Sequence, residues 1–157
     1  MTYADLYNLR DKDLVTLNNY ADAIDGLTVD YDEVIVSGVQ SIASATPTAI
    51  PGVTVSMAVE ATEFVVVHAT INISAADASR YGEFRLFRDA IGISSSYYVF
   101  LEQALITGRE TVLHLHAIDE PGAGTFAYLA KFAYDGTSTT IYAEESYLSC
   151  QVIRENE

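Results

Sequence analysis

The chain has 157 residues, 50% of them hydrophobic, and sets 22 Asp and Glu against 8 Lys and Arg for a net charge of −14. That length suits one compact domain with a short appendage, and the apolar fraction excludes a wholly disordered chain. The charge has the wrong sign for gripping phosphate backbones or anionic lipid, so neither nucleic acid nor a membrane is an expected partner.

The N-terminal Met1-Thr2-Tyr3-Ala4-Asp5 lacks the basic start and apolar run of a secretory signal, and no stretch is apolar enough to span a bilayer. The expectation is a soluble chain made in a cytoplasm, which also suits a component of a released particle. Residues 1–33 are strongly acidic, with eight acids and two bases. Here Thr2 and Asp5 resemble a helix-capping signal, and Asp25-Gly26 is a plausible stop. Between them Tyr7, Leu14, Leu17, Ala21 and Ile24 fall on three- and four-residue spacings, with Arg10 in one polar slot. Residues 1–30 are therefore read as a helical stem or anchor, with Leu14, Leu17, Ala21 and Ile24 as its assembly seam.

After Gly26 the period changes to two, and residues 31–157 read as a β-sandwich head. Tyr31–Val36 is a strand, and Val53, Val55, Met57 and Val59 alternate with smaller or polar residues. Phe64–Ser74 alternates most cleanly, with Val65, Val67, Ala69, Ile71 and Ile73 on one face. Residues 75–80 suit one helical turn. Further strands are expected at Glu83–Arg88, Ser96–Leu101, Thr111–Ile118, Thr125–Tyr134, Thr139–Ala143 and Tyr147–Arg154. Pro51-Gly52, Pro121-Gly122-Ala123-Gly124 and Asp135-Gly136 supply turn chemistry between them. The fold class that follows is mainly β: an antiparallel sandwich or jelly roll with a short N-terminal helix. In the strand 125–134, Phe126, Tyr128, Phe132 and Tyr134 share one side while Ala127, Leu129 and Ala133 share the other. An aromatic face on a strand that is apolar on both sides needs a cover, either an extra loop or the same face of a sister subunit, and the subunit is the expected one.

Chemistry-bearing groups are sparse. His114 and His116 are two apart on one strand and so share a face. In a threefold assembly such imidazoles would meet on an axis, but by themselves they read as polar residues of a less buried face, and no metal is assigned. His68 has no sequence link to that pair. The acid pairs Glu60 with Glu63, Asp119 with Glu120, and Glu144 with Glu145 match no calcium-loop spacing. Ser94-Ser95-Ser96 lacks the surroundings of a nucleophile, no phosphate-cradling loop is present, and Cys150 alternates with Leu148 and Val152 as a core thiol. Exposed tyrosines such as Tyr97 and Tyr98 would suit stacking on a sugar ring. No catalytic residue and no cofactor are expected.

The C-terminal half carries a resemblance. Phe84-Arg85-Leu86-Phe87-Arg88-Asp89-Ala90-Ile91-Gly92, the acidic-Pro-Gly-x-Gly-Thr run Asp119-Glu120-Pro121-Gly122-Ala123-Gly124-Thr125 leading to Tyr128, and the closing strand 147–155 resemble the β-sandwich heads of bacteriophage head-fibre, capsid-decoration and tail-fibre proteins. Trimeric jelly rolls like those of tumour necrosis factor share the look. The resemblance implies a non-enzymatic virion protein, a homotrimer with an N-terminal docking segment, partnered by the major capsid protein or other virion proteins. A receptor- or glycan-binding head of a tail fibre, directed at a host-surface glycan, is the alternative it leaves. The long repetitive shaft of many fibres is missing here, which favours a small capsid-surface protein.

Overall fold

The computed structural model describes residues 28–75, 80–101, 111–134 and 141–154. The expected helix with Leu14, Leu17, Ala21 and Ile24, the turn at 76–79 and the Asp135-Gly136 hairpin tip lie outside the described residues. The described chain forms ten strands: β1 (Thr28–Val36), β2 (Gln40–Ile42), β3 (Thr48–Val59), β4 (Glu63–Ala75), β5 (Arg80–Arg88), β6 (Ile91–Gly92), β7 (Tyr97–Leu101), β8 (Thr111–Asp119), β9 (Gly124–Tyr134) and β10 (Ile141–Arg154). They make two antiparallel sheets. Sheet A runs β1-β10-β4-β8, with β2 also on β10; sheet B runs β3-β9-β5-β6, with β7 also on β5.

The pairing is that of one long hairpin folded onto itself. β1 pairs with β10, β3 with β9, β4 with β8 and β5 with β7, so each early strand meets its mirror partner from the other end of the chain. The additional pairings β10–β4 and β9–β5 roll that hairpin into two layers. The two strands expected at Thr139–Ala143 and Tyr147–Arg154 are one, β10, whose register shifts between Ala143 and Ser146. Glu144 and Glu145 form the bulge that lets a single strand pass their unpaired backbone. β3 carries a similar irregularity between Ala49 and Thr54, around Pro51 and the left-handed Gly52 (φ 78°). Proline there removes a ladder donor, and a β-carbon on Gly52 would sit 3.3 Å from Val36 Cγ2.

The core lies between the sheets, and its two walls are unlike. Sheet A contributes Val65, Val67, Ala69, Ile71, Ile73, Leu115, Leu148, Cys150 and Val152, all aliphatic or small. Sheet B contributes Phe84, Tyr128, Phe132 and Met57 beside Val53, Val55 and Leu86. Large rings thus fill the space left by short side chains opposite, with Phe84 and Phe132 packed at 5.4 Å between ring centres. Tyr128 and Phe132 are both 0% exposed. Tyr128 and Phe132 of the aromatic face of β9, for which a sister subunit is the expected cover, are covered by the chain's own sheet A. Sequence period tells which residues share a side, not what lies over it.

Two polar clusters tie the layers. Arg88 of β5 points inward and meets Asp119 of β8 with Nη1 to Oδ1 and Oδ2 at 3.0 and 2.9 Å, while Tyr128 donates its hydroxyl to Asp119 Oδ2 at 3.0 Å. The Arg88 guanidinium also lies 5.2 Å from the centre of the Phe126 ring. At the β3–β4 turn, Glu63 accepts from the Glu60 backbone N–H at 2.8 Å and from Arg154 Nη2 at 2.6 Å. No helix among the described residues is long and apolar enough to cross a membrane.

Candidate interaction face

The outer faces of the two sheets differ. On sheet B the outward residues Phe87 and Leu129 are covered by their neighbours, while Ile91 of β6 and Tyr97 of β7 are exposed. Phe87 is 8% and Leu129 9% exposed. Lys131 Nζ lies 4.3 Å from the centre of the Phe87 ring and the Arg85 guanidinium 5.6 Å from it. Long cationic stems laid over a ring shield it while their heads stay wet. Arg85 is held there by Nε donating to the Ser94 carbonyl at 2.7 Å, and its guanidinium occupies the space a side chain on Gly92 would need.

Sheet A leaves more of its large apolar residues uncovered. Register sets its outward residues in rows across β1, β10, β4 and β8: Tyr31-Gln151-Val66-Ile118, then Glu33-Ser149-His68-His116, then Ile35-Tyr147-Thr70-His114. Ile35 is 69%, Ile118 68%, Val112 52% and Tyr31 51% exposed. Among the described residues this face carries no Lys or Arg.

Its polar groups are organised. The Tyr147 hydroxyl donates to Glu33 Oε2 at 2.9 Å, the Tyr31 hydroxyl donates to the same oxygen, and the two phenol oxygens are 2.8 Å apart. Hydrogen bonds from Tyr31 and Tyr147 hold the Glu33 carboxyl below the usual carboxylate range, and the same contacts push the Tyr31 hydroxyl above the usual phenol range. Thr70 Oγ1 lies 3.0 Å from His114 Nδ1, and the His68 and His114 rings stand edge to face with centres 6.4 Å apart. Beside the β10 bulge a shallow cleft of about 230 Å³ opens between Ile35, Thr70, Asn72, Glu145 and Tyr147.

Of the residues singled out from sequence, Tyr128 and Phe132 are core, Phe126 is half-buried against that core, and Tyr134 ends β9 at the limit of the described segment. His114 and His116 do share one exposed face. The structure adds His68, which the β4–β8 register places directly opposite His116. The chain's three histidines thus stand on one face. That neighbourhood comes from long-range strand pairing, which no local spacing reveals. Cys150 is buried, and burial pushes its thiol up to about 12. Among the described residues no three His, Cys, Asp or Glu side chains converge on a metal-sized point.

No protein-family model matches the chain, and no curated protein matches it in sequence. Solved structures match it in fold. The VP2 subviral particle of infectious bursal disease virus superposes with TM-score 0.51 at 8% identity, over 81% of this chain and 33% of that one. Vertex protein P5 of PRD1 gives TM-score 0.41 at 11% identity, over 82% and 99% of the two chains. The CBM22-1 xylan-binding domain of Xyn10C from Paenibacillus barcinonensis gives 0.39 at 12% identity, over 83% and 97%. The chain spans about a third (33%) of the length of the viral particle protein.

Proposed function

We propose that this chain is a non-catalytic virion protein of bacteriophage-decoration type: a jelly-roll head that assembles as a homotrimer on a particle surface, partnered by the major capsid protein. The nested strand order, with early and late strands alternating in each sheet, is the topology of the jelly roll, an architecture used by viral capsid and lectin domains. The likeness in fold to a viral particle protein supports the same class. The observation that carries the association is the asymmetry of the two outer faces. Sheet B covers Phe87 and Leu129 and leaves Ile91 and Tyr97 exposed on β6 and β7, whereas sheet A exposes Tyr31 and Ile118 in one outward row and Ile35 and Val112 beyond the polar row Glu33-Ser149-His68-His116. Four large apolar residues standing exposed on one sheet face, with no cation of the described residues laid over them, support an interaction site there. The exposed apolar residues favour a subunit contact through sheet A over one through the buried Tyr128 and Phe132.

Association would be driven by that apolar area, and three linked copies on a threefold shell site would add multivalent retention. Light scattering of the full chain should give the mass of three chains, and replacing Ile35 and Ile118 together by Arg should give single chains with an unchanged melting temperature. A dispersed single chain before substitution would overturn the trimer. Deleting residues 1–25 should abolish capsid attachment and leave a folded head; truncated protein that still saturates capsids would reject residues 1–30 as the anchor.

A glycan-binding head is the second reading, favoured by the cleft beside the bulge. There a half-buried Tyr147 ring, its hydroxyl pinned by Glu33, stands next to Asn72 and Thr70. A fixed aromatic plane with amide and hydroxyl partners is what a neutral sugar ring needs. Binding on a glycan array that Tyr147→Ala removes would favour this reading over pure scaffolding.

A further inference from the structure

We infer that the outer face of sheet A binds one borderline transition-metal ion, of the zinc, nickel or copper type, between the imidazoles of His68 and His116, with His114 beside them. The inference does not depend on trimer formation. It starts from register. His68 on β4 and His116 on β8 are direct cross-strand partners, and both are outward and exposed. Directly opposed residues on one face have their β-carbons roughly 5 Å apart, so two imidazoles project from neighbouring points in the same direction. His114 belongs to the next row, its ring centre 6.4 Å from that of His68. Two imidazoles sharing an ion at metal–nitrogen distances of about 2.1 Å have ring centres roughly 5 Å apart. The His68 and His114 rings stand within small χ rotations of that spacing, and His116 approaches His68 from the directly opposed position of the neighbouring strand.

Three further features suit a cation. Thr70 Oγ1 sits at His114 Nδ1, which orients that ring and leaves Nε2 as its outward nitrogen. An oxygen on the second ring nitrogen is the usual outer support of a metal-bound histidine. No Lys or Arg of the described residues stands on this face, and the chain as a whole is at −14. The donors are imidazoles, which select zinc, copper and nickel; calcium and magnesium prefer oxygen. Since no three ligands converge on one point among the described residues, the site is an open two-histidine chelate whose remaining positions face solvent. An open site of this kind is able to accept a ligand from a second molecule.

The test is calorimetric titration of the full-length protein, stripped with chelator, with Zn²⁺ alone and in parallel with Ca²⁺. One Zn²⁺ per chain is expected, with Ca²⁺ failing to compete. His68→Gln or His116→Gln should each weaken Zn²⁺ binding by roughly tenfold or more, and His114→Gln by less. Unchanged melting temperatures would show that the exposed substitutions leave the fold intact. A Cu²⁺ spectrum with nitrogen coupling that disappears in His68→Gln/His116→Gln gives a second readout. Zn²⁺ affinity unaltered in that double variant, or Ca²⁺ competing on equal terms, would overturn the site. Repeating the titration on the Ile35→Arg/Ile118→Arg protein separates the two questions. Binding retained there with the mass of one chain supports the metal site whatever the assembly; binding lost there overturns a site built within one chain.

Discussion

At the scale of single residues, the most consequential group is Asp119. It answers both Arg88 and Tyr128 at the join between the sheets, and the Arg88 and Asp119 side chains are only 15% and 10% exposed. Removing the carboxylate leaves an enclosed guanidinium without its counter-charge and a buried phenol without its acceptor. Asp119→Ala should therefore cost about 3 kcal/mol in urea unfolding, and Tyr128→Phe about 1 kcal/mol. Equal losses in the two would mean that Arg88 finds another partner. Cys150 supplies a dependence on alkali. Its folded thiol is raised from 9.0 to about 12, so the unfolded chain loses its proton first. Between those values the folded state binds more protons than the unfolded one, and stability falls as pH rises. The contribution is intact below pH 9 and gone above 12. Cys150→Ala should lack this share of the alkaline loss, which denaturation midpoints at several pH values would measure.

At the scale of elements, turns decide more than strands do. β5 and β6 are joined through Asp89 and Ala90 alone, since Arg88 pairs with Ile91. Asp89 takes the left-handed conformation, φ 51°, which aspartate tolerates better than most side chains. It also bonds to Ala127 of β9 twice, through its own N–H at 2.7 Å and through Oδ1 at 3.1 Å. Asp89→Val should destabilise by about 2 kcal/mol, whereas Asp89→Asn, which keeps both the backbone tolerance and an acceptor oxygen, should cost less than half of that. Thermal melts of the two variants would check the order. The alternation of Val65, Val67, Ala69, Ile71 and Ile73 was legible in sequence because one wall of a core repeats every second residue. β2 and β6 were not, because three and two residues are too few to show a period.

For the whole molecule, the same contrast holds at longer range. Local pattern identified strands and a two-layer class; it had no access to which strand meets which. The cover over Tyr128 and Phe132, the meeting of His68 with His116, and the exposure of Ile35 and Ile118 all follow from pairings between opposite halves of the chain. Such contacts close large loops before they return any stabilisation, which makes the fold slow to form and hard to read from neighbours in sequence.

The nested pairing also bears on mechanics. Thr28 at the start of β1 stands opposite Ile153 near the end of β10, so the polypeptide enters and leaves the sandwich at one corner. Tension drawn between those two points would open the sheet one rung at a time, as a zip does, because each ladder bond takes the load in turn.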